Sequence, residues 1–396
     1  GPESAVCGWN ARSSSPRPEM KSLQELRSDQ RSWIDGGDCP KSTLVVSVSA
    51  FSSPESPKKE INMTKETAKI PAVNPLPLWN LAHAYCEARA FHIANELDMF
   101  SHLDEARTAE QMAELLSLEK RPVRMLMDVC AALGLLEKSG RKYKNTLLSS
   151  EFLVKGKPFY SGNFVSLEAS SYLAWAKLGE AVSQNRPINQ SMKNERVLRF
   201  FTHAMHSTSV FSATILAEVV DLSGYRKLLD VGGGSGVNAI TFAEKYPNLR
   251  ATVYDQKPVI EVAEEYISRS PAANRISTMP GNYLVNLPKG HDAALMSNVL
   301  HGEGADDNHA LLKQTYEALE APGIVIIADV LPNEQRTGPL FPLMFALNML
   351  LETKNGDTYT ESQVREFVED AGFTGMNTIS FDPAPLSVVT AFKNQS

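Results

Sequence analysis

The sequence predicts a two-part α/β protein: a mostly helical N-terminal unit, then a doubly wound, mostly parallel sheet. Three observations predict it. From residue 227 onward, short apolar runs alternate with helical patterns, as a parallel sheet with crossover helices requires. The first run, Leu228 to Val231, ends in a glycine-rich turn, Gly232-Gly233-Gly234-Ser235-Gly236, and a helical pattern follows through Ala239, Ile240, Phe242 and Ala243. The second run, Ala251 to Tyr254, ends in Asp255, 19 residues after Gly236. Strand, glycine turn, helix and a later acid form the opening unit of a nucleoside-binding sheet.

The totals agree. A chain of 396 residues with 43% hydrophobic and 21% charged residues is long enough for two or three domains and an ample core. The formal charge of −7 argues against non-specific nucleic-acid binding. Four scattered cysteines, Cys7, Cys39, Cys86 and Cys130, contain no C-x-x-C pair. No disulfide framework or metal site is expected, and a reducing, cytoplasmic setting is the default. No run of 18 apolar residues is present, so no membrane span or membrane partner is expected.

Residues 1–70 are rich in Ser, Pro, Lys and Glu without lasting periodicity, and are predicted to be a disordered or vector-derived leader beginning with a Gly1-Pro2 protease scar. Residues 71–160 are predicted to form a small helical unit. Ala82 to Leu97 carries helical apolar spacing. Thr108 with Gln111 reads as a capping box, Pro122 suits a first helical turn, and Gly134 a helix end. Leu135 to Tyr143 reads as a hairpin across Gly140-Arg141. Three helices and a hairpin suggest a winged helix, which raises DNA binding. The segment holds 11 acidic and 11 basic residues, whereas a DNA reader carries a basic excess. A subunit interface with one wall of a substrate pocket is the better reading. Residues 161–222 are predicted to be a helical linker region lining that pocket. Residues 223–396 form the sheet domain, with strands at 227–231, 251–255, 275–279, 292–297, 323–329, 376–381 and 387–393. The last two flank the reversing loop Asp382 to Pro385.

Glycine turns of this kind serve dinucleotides and S-adenosylmethionine. Asp230, just before the glycines, would oppose a pyrophosphate but suits a ligand carrying ammonium and sulfonium charge. The turn Asp230-Val231-Gly232-Gly233-Gly234-Ser235-Gly236 resembles the cofactor motif of class I methyltransferases. Phe201-x-x-x-Met205, before a serine-rich turn and a long helix, resembles the domain-linking region of small-molecule O-methyltransferases. That family includes plant caffeate and flavonoid enzymes, acetylserotonin methyltransferase, and bacterial polyketide and phenazine tailoring enzymes. The resemblance covers roughly residues 75–395. It implies a winged-helix dimerisation domain, a Rossmann-like catalytic domain, a homodimer, S-adenosylmethionine as cofactor, and an aromatic or polyketide-like acceptor in secondary metabolism.

Carried over residue by residue, the resemblance assigns Asp230, Gly232, Gly234, Asp255, Asn282, Tyr283 and Ser297 to the cofactor. Asn282 stands where the family usually has an acid, and its amide can still accept from an adenine amino group. The segment Met296 to His301 matches the catalytic stretch, with His301 as general base for a phenolic acceptor. Asp329 would orient its imidazole. The family usually reads His-Asp-Trp, and this chain reads His301-Gly302-Glu303. A second family acid is matched by Thr358, next to Asp357. Met205, Phe345 and Met349 fall on acceptor-lining segments, as do Phe341 and Met344, and His203 and His206 stand as alternative bases. No metal is implied. Two further readings stay open: carbon or nitrogen methylation without a strong base, and a silent cofactor-binding scaffold.

Overall fold

A computed structural model describes residues 73–189, 194–380 and 386–395. The expected leader and the reversing loop at 382–385 lie outside the described residues.

The first helix, α1 (Leu76–Glu96), is long, and its first half leaves large apolar side chains in the open: Leu78 is 70% and Leu81 74% exposed. The strand β1 (Arg107–Thr108) runs into α2 (Ala109–Leu116). The expected capping box is present, with Gln111 N donating to Thr108 Oγ1 and Thr108 N donating to Gln111 Oε1. Pro122 sits in the first turn of α3 (Lys120–Ala132), and Gly134 follows its end at φ +74°. β2 (Leu136–Ser139) and β3 (Lys142–Asn145) form the hairpin, and β1 pairs beside β3. Met99, Phe100, Leu103, Met112, Met127, Cys130 and Tyr143 close a small core of their own.

Four helices lead to the sheet: α4 (Leu147–Phe152), α5 (Gly162–Trp175), α6 (Leu178–Gln184) and α7 (Glu195–Val219). The serine-rich stretch of α7 is no turn, which corrects the sequence expectation. Ser207, Thr208, Ser212 and Thr214 each turn their hydroxyl back on a carbonyl three or four residues earlier. Their hydrogen-bonding capacity is met without breaking the helix. Asn194 caps the helix, its Oδ1 accepting from Arg196 N and Val197 N.

The sheet contains β4 (Lys227–Val231), β5 (Arg250–Asp255), β6 (Ile276–Pro280), β7 (His291–Ser297), β8 (Leu319–Asp329), β9 (Thr374–Ser380) and β10 (Ser387–Lys393), in the order β6-β5-β4-β7-β8-β10-β9. The first five are parallel, and β10 runs antiparallel to both neighbours, giving the expected antiparallel edge. α8 (Val237–Lys245), α9 (Lys257–Ile267), α10 (Ala305–Ala318), α11 (Leu340–Glu352) and α12 (Glu361–Asp370) complete the chain. Two apolar cores lie on the sheet. Leu216, Leu228, Phe242, Val253 and Ile260 build one, and Leu229, Met296, Leu312, Ile327 and Phe367 the other. Strand order reverses between β4 and β7, so a crevice forms at the C-terminal ends of the central strands, where open α/β sheets bind ligands.

Candidate active site

The glycine turn, Asp255, His301 and Asp329 all lie at the C-terminal ends of these strands. After β4 the chain turns through Gly232, Gly234 and Gly236, all at positive φ (62°, 57° and 75°). Only glycine takes these angles without strain. A Cβ on Gly233 would stand 2.8 Å from Asp230 Cγ, and one on Gly232 2.9 Å from Val299 Cγ2. Above Gly234 nothing lies within 4 Å, so that peptide is open to a ligand.

Asp255 ends β5 beside the turn. Its Oδ2 accepts from Gly234 N at 2.9 Å and its Oδ1 from Gln256 N at 2.6 Å. A carboxylate offers about four lone-pair sites, so acceptor capacity remains for a ribose. Burial raises its pKa, and the two amides oppose that rise. A cavity of about 550 Å³ adjoins it, lined by Glu195, Leu198, Gln256, Lys257, Pro258, Pro280 and Gly281. None of the α7 residues in that wall was foreseen, because nothing local in the sequence brings the start of α7 to the loop after β6.

Asp230 lies one residue before the end of β4. It is fully buried, its Oδ2 accepts from Ala239 N at 3.2 Å, and its Oδ1 accepts from no described residue. Ala239 N is one of the free amides in the first turn of α8. The carboxylate therefore underpins the turn. Burial, then the charge of Asp255, pushes its pKa up to about 7.

Tyr283 reaches the turn from the segment after β6. Its ring stands 3.5 Å from a Cβ placed on Gly232, and its hydroxyl donates to Glu303 Oε1 at 2.8 Å. Asn282 is exposed, and its Oδ1 accepts from Leu284 N at 2.9 Å. Its carbonyl shapes its own turn, so any call on adenine competes with that bond. Ser297, half-buried at the end of β7, lies 3.4 Å from Asn298 Nδ2. The unforeseen Asn298 adopts φ +58° and donates its N–H to Ala328 O. That left-handed residue bends the chain from β7 into the short helical turn Leu300–Gly302, which holds His301.

His301 and Asp329 are brought together. His301 Nδ1 donates to Asp329 Oδ1 at 2.7 Å, and Asp329 Oδ2 accepts from His301 N at 3.3 Å. Val330 N also donates to Oδ1. The side chains are 12% and 4% exposed, so the pair is shielded while the imidazole keeps an outlet. Phe345 of α11 meets the imidazole edge-on at 4.7 Å, with Phe341 stacked behind it at 5.7 Å. Met349 lies buried on the same helix, and Met205 is half-buried on α7. Thr358 is buried, its hydroxyl donating to Pro342 O, and Asp357 faces Arg336 at 3.6 Å. The contacts described for these two side chains are thus away from the imidazole.

His203 and His206 serve elsewhere. His206 Nδ1 is hydrogen-bonded to Ser235 Oγ at 2.8 Å, and its ring stacks on Tyr266 at 3.6 Å. Burial pushes its pKa down to about 4, so it stays neutral. His203 Nδ1 meets Tyr266 Oη at 2.9 Å. The two histidines pin α7 to the glycine turn and to α9. His309, Glu366 and Asp370 form a separate group with potential metal donors within 4.8 Å, largely at the surface.

A doubly wound sheet with an open glycine turn, an acid at the end of the next strand and a shielded histidine–carboxylate pair is the layout of a nucleoside-binding α/β protein. Comparison with known proteins narrows this. Residues 178–374 match the O-methyltransferase domain and residues 79–155 the O-methyltransferase dimerisation domain. A 3-hydroxy-5-methyl-1-naphthoate 3-O-methyltransferase of Streptomyces sahachiroi is 32% identical over 331 residues, 81% of this chain and 95% of that protein. An N,N-dimethyltransferase of Streptomyces rimosus is 28% identical, over 78% of this chain and 93% of its own. The solved structure of human N-acetylserotonin methyltransferase in complex with SAM shares the fold at TM-score 0.75. It is 24% identical and covers 84% of this chain and 100% of that one. The chain belongs to the O-methyltransferase family. It is an S-adenosylmethionine-dependent O-methyltransferase.

Proposed function

We propose that this enzyme methylates a hydroxyl of an aromatic or polyketide-like small molecule in secondary metabolism, with His301 as general base and Asp329 as its partner. The observation that carries the reading is the 2.7 Å bond from His301 Nδ1 to Asp329 Oδ1, at the ends of β7 and β8. It commits Nδ1 as the donor and leaves Nε2 free to take a proton. The edge-on Phe345 gives the acceptor an aromatic neighbour.

The residues around the turn fit the cofactor. Gly232 and Gly234 would let it approach the backbone, Asp255 would accept from its ribose hydroxyls, and Asn282, Tyr283 and Ser297 would flank it. When bound, S-adenosylmethionine supplies an electrophilic methyl group. This chain's residues do the rest. His301 removes the hydroxyl proton at Nε2 as the oxygen becomes nucleophilic. Asp329 balances the imidazolium that results. Phe345, Met205 and Met349 hold the acceptor's flat face.

The proposed organisation has residues 71–160 as a winged-helix dimerisation domain, 161–222 as a linker region against the acceptor, and 223–396 as the catalytic domain. The enzyme acts as a homodimer in the cytoplasm. The exposed apolar face of α1, with Leu78, Leu81 and Tyr85, supports the dimer, as does the match to a dimerisation domain. Among the described residues no helix is long and apolar enough to cross a membrane.

The test supplies methyl-labelled S-adenosylmethionine and a panel of hydroxylated aromatic acids and polyketides. Label recovered as an aryl methyl ether supports the reading. Label recovered only on nitrogen or carbon rejects it. The Streptomyces rimosus relative makes an amine acceptor the second reading.

A further inference from the structure

The segments after β6 and β7 are tied by one pair of side chains. Tyr283 Oη donates to Glu303 Oε1 at 2.8 Å. The tyrosine ring lies over Gly232, where a Cβ would meet its Cε1 at 3.5 Å and its Cδ1 at 3.8 Å. The ring is thus in packing range of the turn, beside Val299 Cγ2, which a Cβ on Gly232 would meet at 2.9 Å. Glu303 is itself held, because Tyr359 Oη donates to its backbone carbonyl at 2.5 Å and Tyr359 is buried. The bond from Tyr283 is the side-chain contact that ties Glu303 to the segment after β6. Burial and the adjacent carboxylate push the Tyr283 phenol far above its ordinary range. It therefore stays protonated and keeps donating at any working pH.

We propose that Glu303 is a positioning residue that holds the Tyr283 ring as a flat wall for the adenosine part of the cofactor, linking that wall to the segment that carries His301. The inference rests on the cofactor assignment above and adds a residue and a coupling to it. A phenol on an otherwise exposed segment would swing about two torsions. The bond to a carboxylate on an anchored backbone restricts that freedom before the ligand arrives, which lowers the cost of ordering on binding. An aromatic face stacks on a nucleobase without needing charge. Glu303 lies two residues beyond His301, so the bond joins the tyrosine's segment to the one that carries the histidine.

Titration calorimetry with S-adenosylmethionine and with S-adenosylhomocysteine tests this on the full chain. Tyr283→Leu should weaken both ligands by the same factor, about 5- to 150-fold for one stacked base. Glu303→Ala and Tyr283→Phe should each weaken both ligands equally and by less. Glu303→Gln should restore most of the affinity, because an amide oxygen also accepts from the phenol. The double variant Tyr283→Leu/Glu303→Ala should bind no worse than Tyr283→Leu, since Glu303 acts through the ring. Unchanged thermal midpoints in Tyr283→Phe and Glu303→Gln keep the comparison free of folding effects. Additive losses would overturn the proposal, as would unchanged affinity in Glu303→Ala. A loss confined to the cationic ligand would also overturn it, making Glu303 a counter-charge. Wild type that binds neither ligand would remove the cofactor assignment itself, a failure separate from any variant comparison.

Discussion

Replacing Asp329 by Asn tests the chemistry most directly, and the structure sets its size. Three donors converge on this carboxylate: His301 Nδ1 at 2.7 Å, Val330 N at 2.8 Å and His301 N at 3.3 Å. Asparagine has one oxygen to offer. Placed at the Oδ1 position, that oxygen serves the two short bonds, and its NH₂ group then opposes only the long contact. That orientation is the cheaper one, so the imidazole keeps its proton on Nδ1 and Nε2 remains the base. What is lost is the charge. A hydrogen bond to a charged group contributes about 1.5–3 kcal/mol and a neutral one about 0.5–1.5. The difference of roughly 1–1.5 kcal/mol slows turnover about 5- to 15-fold. His301→Ala removes the base and should cost about 10²–10⁴-fold. The assay is single-turnover transfer of labelled methyl, with cofactor affinity measured alongside and expected to be unchanged. If His301→Ala keeps more than a tenth of wild-type turnover, the base role fails and methylation without a strong base takes its place. If Asp329→Asn falls as far as His301→Ala, the tautomer argument is wrong.

Other predictions follow from the same geometry. Asp255→Ala should weaken S-adenosylmethionine and S-adenosylhomocysteine alike by about 1.5–3 kcal/mol in calorimetry; equal affinity would move the ribose elsewhere. Asp230 has a folded pKa of about 7, above its unfolded value, so the fold favours its protonated form. Stability is therefore lost as pH rises from about 4 to 7 and is flat beyond. Asp230→Asn keeps an acceptor for Ala239 N and does not titrate. Its stability relative to wild type, from urea melts, should improve by roughly 2–3 kcal/mol between pH 5 and pH 8; a constant offset would mean that Asp230 does not titrate in that window. Leu78→Glu/Leu81→Glu places charge on the open face of α1 and should convert a dimer to a monomer by light scattering, and an unchanged mass would place the interface elsewhere.

Much of this was legible because backbone demands are written locally. Glycine takes the positive φ angles at Gly232, Gly234 and Gly236 at least cost, so a run of glycines after a strand announces the turn. The capping box at Thr108 is equally local. The pairing of His301 with Asp329 came from the family resemblance, and the structure places the two at the same edge of the parallel neighbours β7 and β8. Illegible features depended on side-chain direction. Nothing in the sequence says that Asp230 turns toward α8, that His206 reaches Ser235, or that Tyr283 finds Glu303. The serine run of α7 misled because serine favours turns, yet each hydroxyl could be satisfied inside the helix.

Three aspartates, Asp230, Asp255 and Asp329, end or nearly end β4, β5 and β8, and strand position alone would give them one role. The donors around each divide them. Asp230 meets a helix-terminal amide and is fully buried, so it serves the turn's support. Asp255 is held by two backbone amides but stays half-exposed beside the large cavity, so it is the one with acceptor capacity left for a ligand. Asp329 alone meets an ionisable donor, the imidazole. The same substitution, Asp to Asn, should therefore register in three different measurements: stability against pH at 230, cofactor affinity at 255, and turnover at 329. A crossed result, such as lost affinity at 329 with normal chemistry, would show that neighbouring donors do not decide what these carboxylates do.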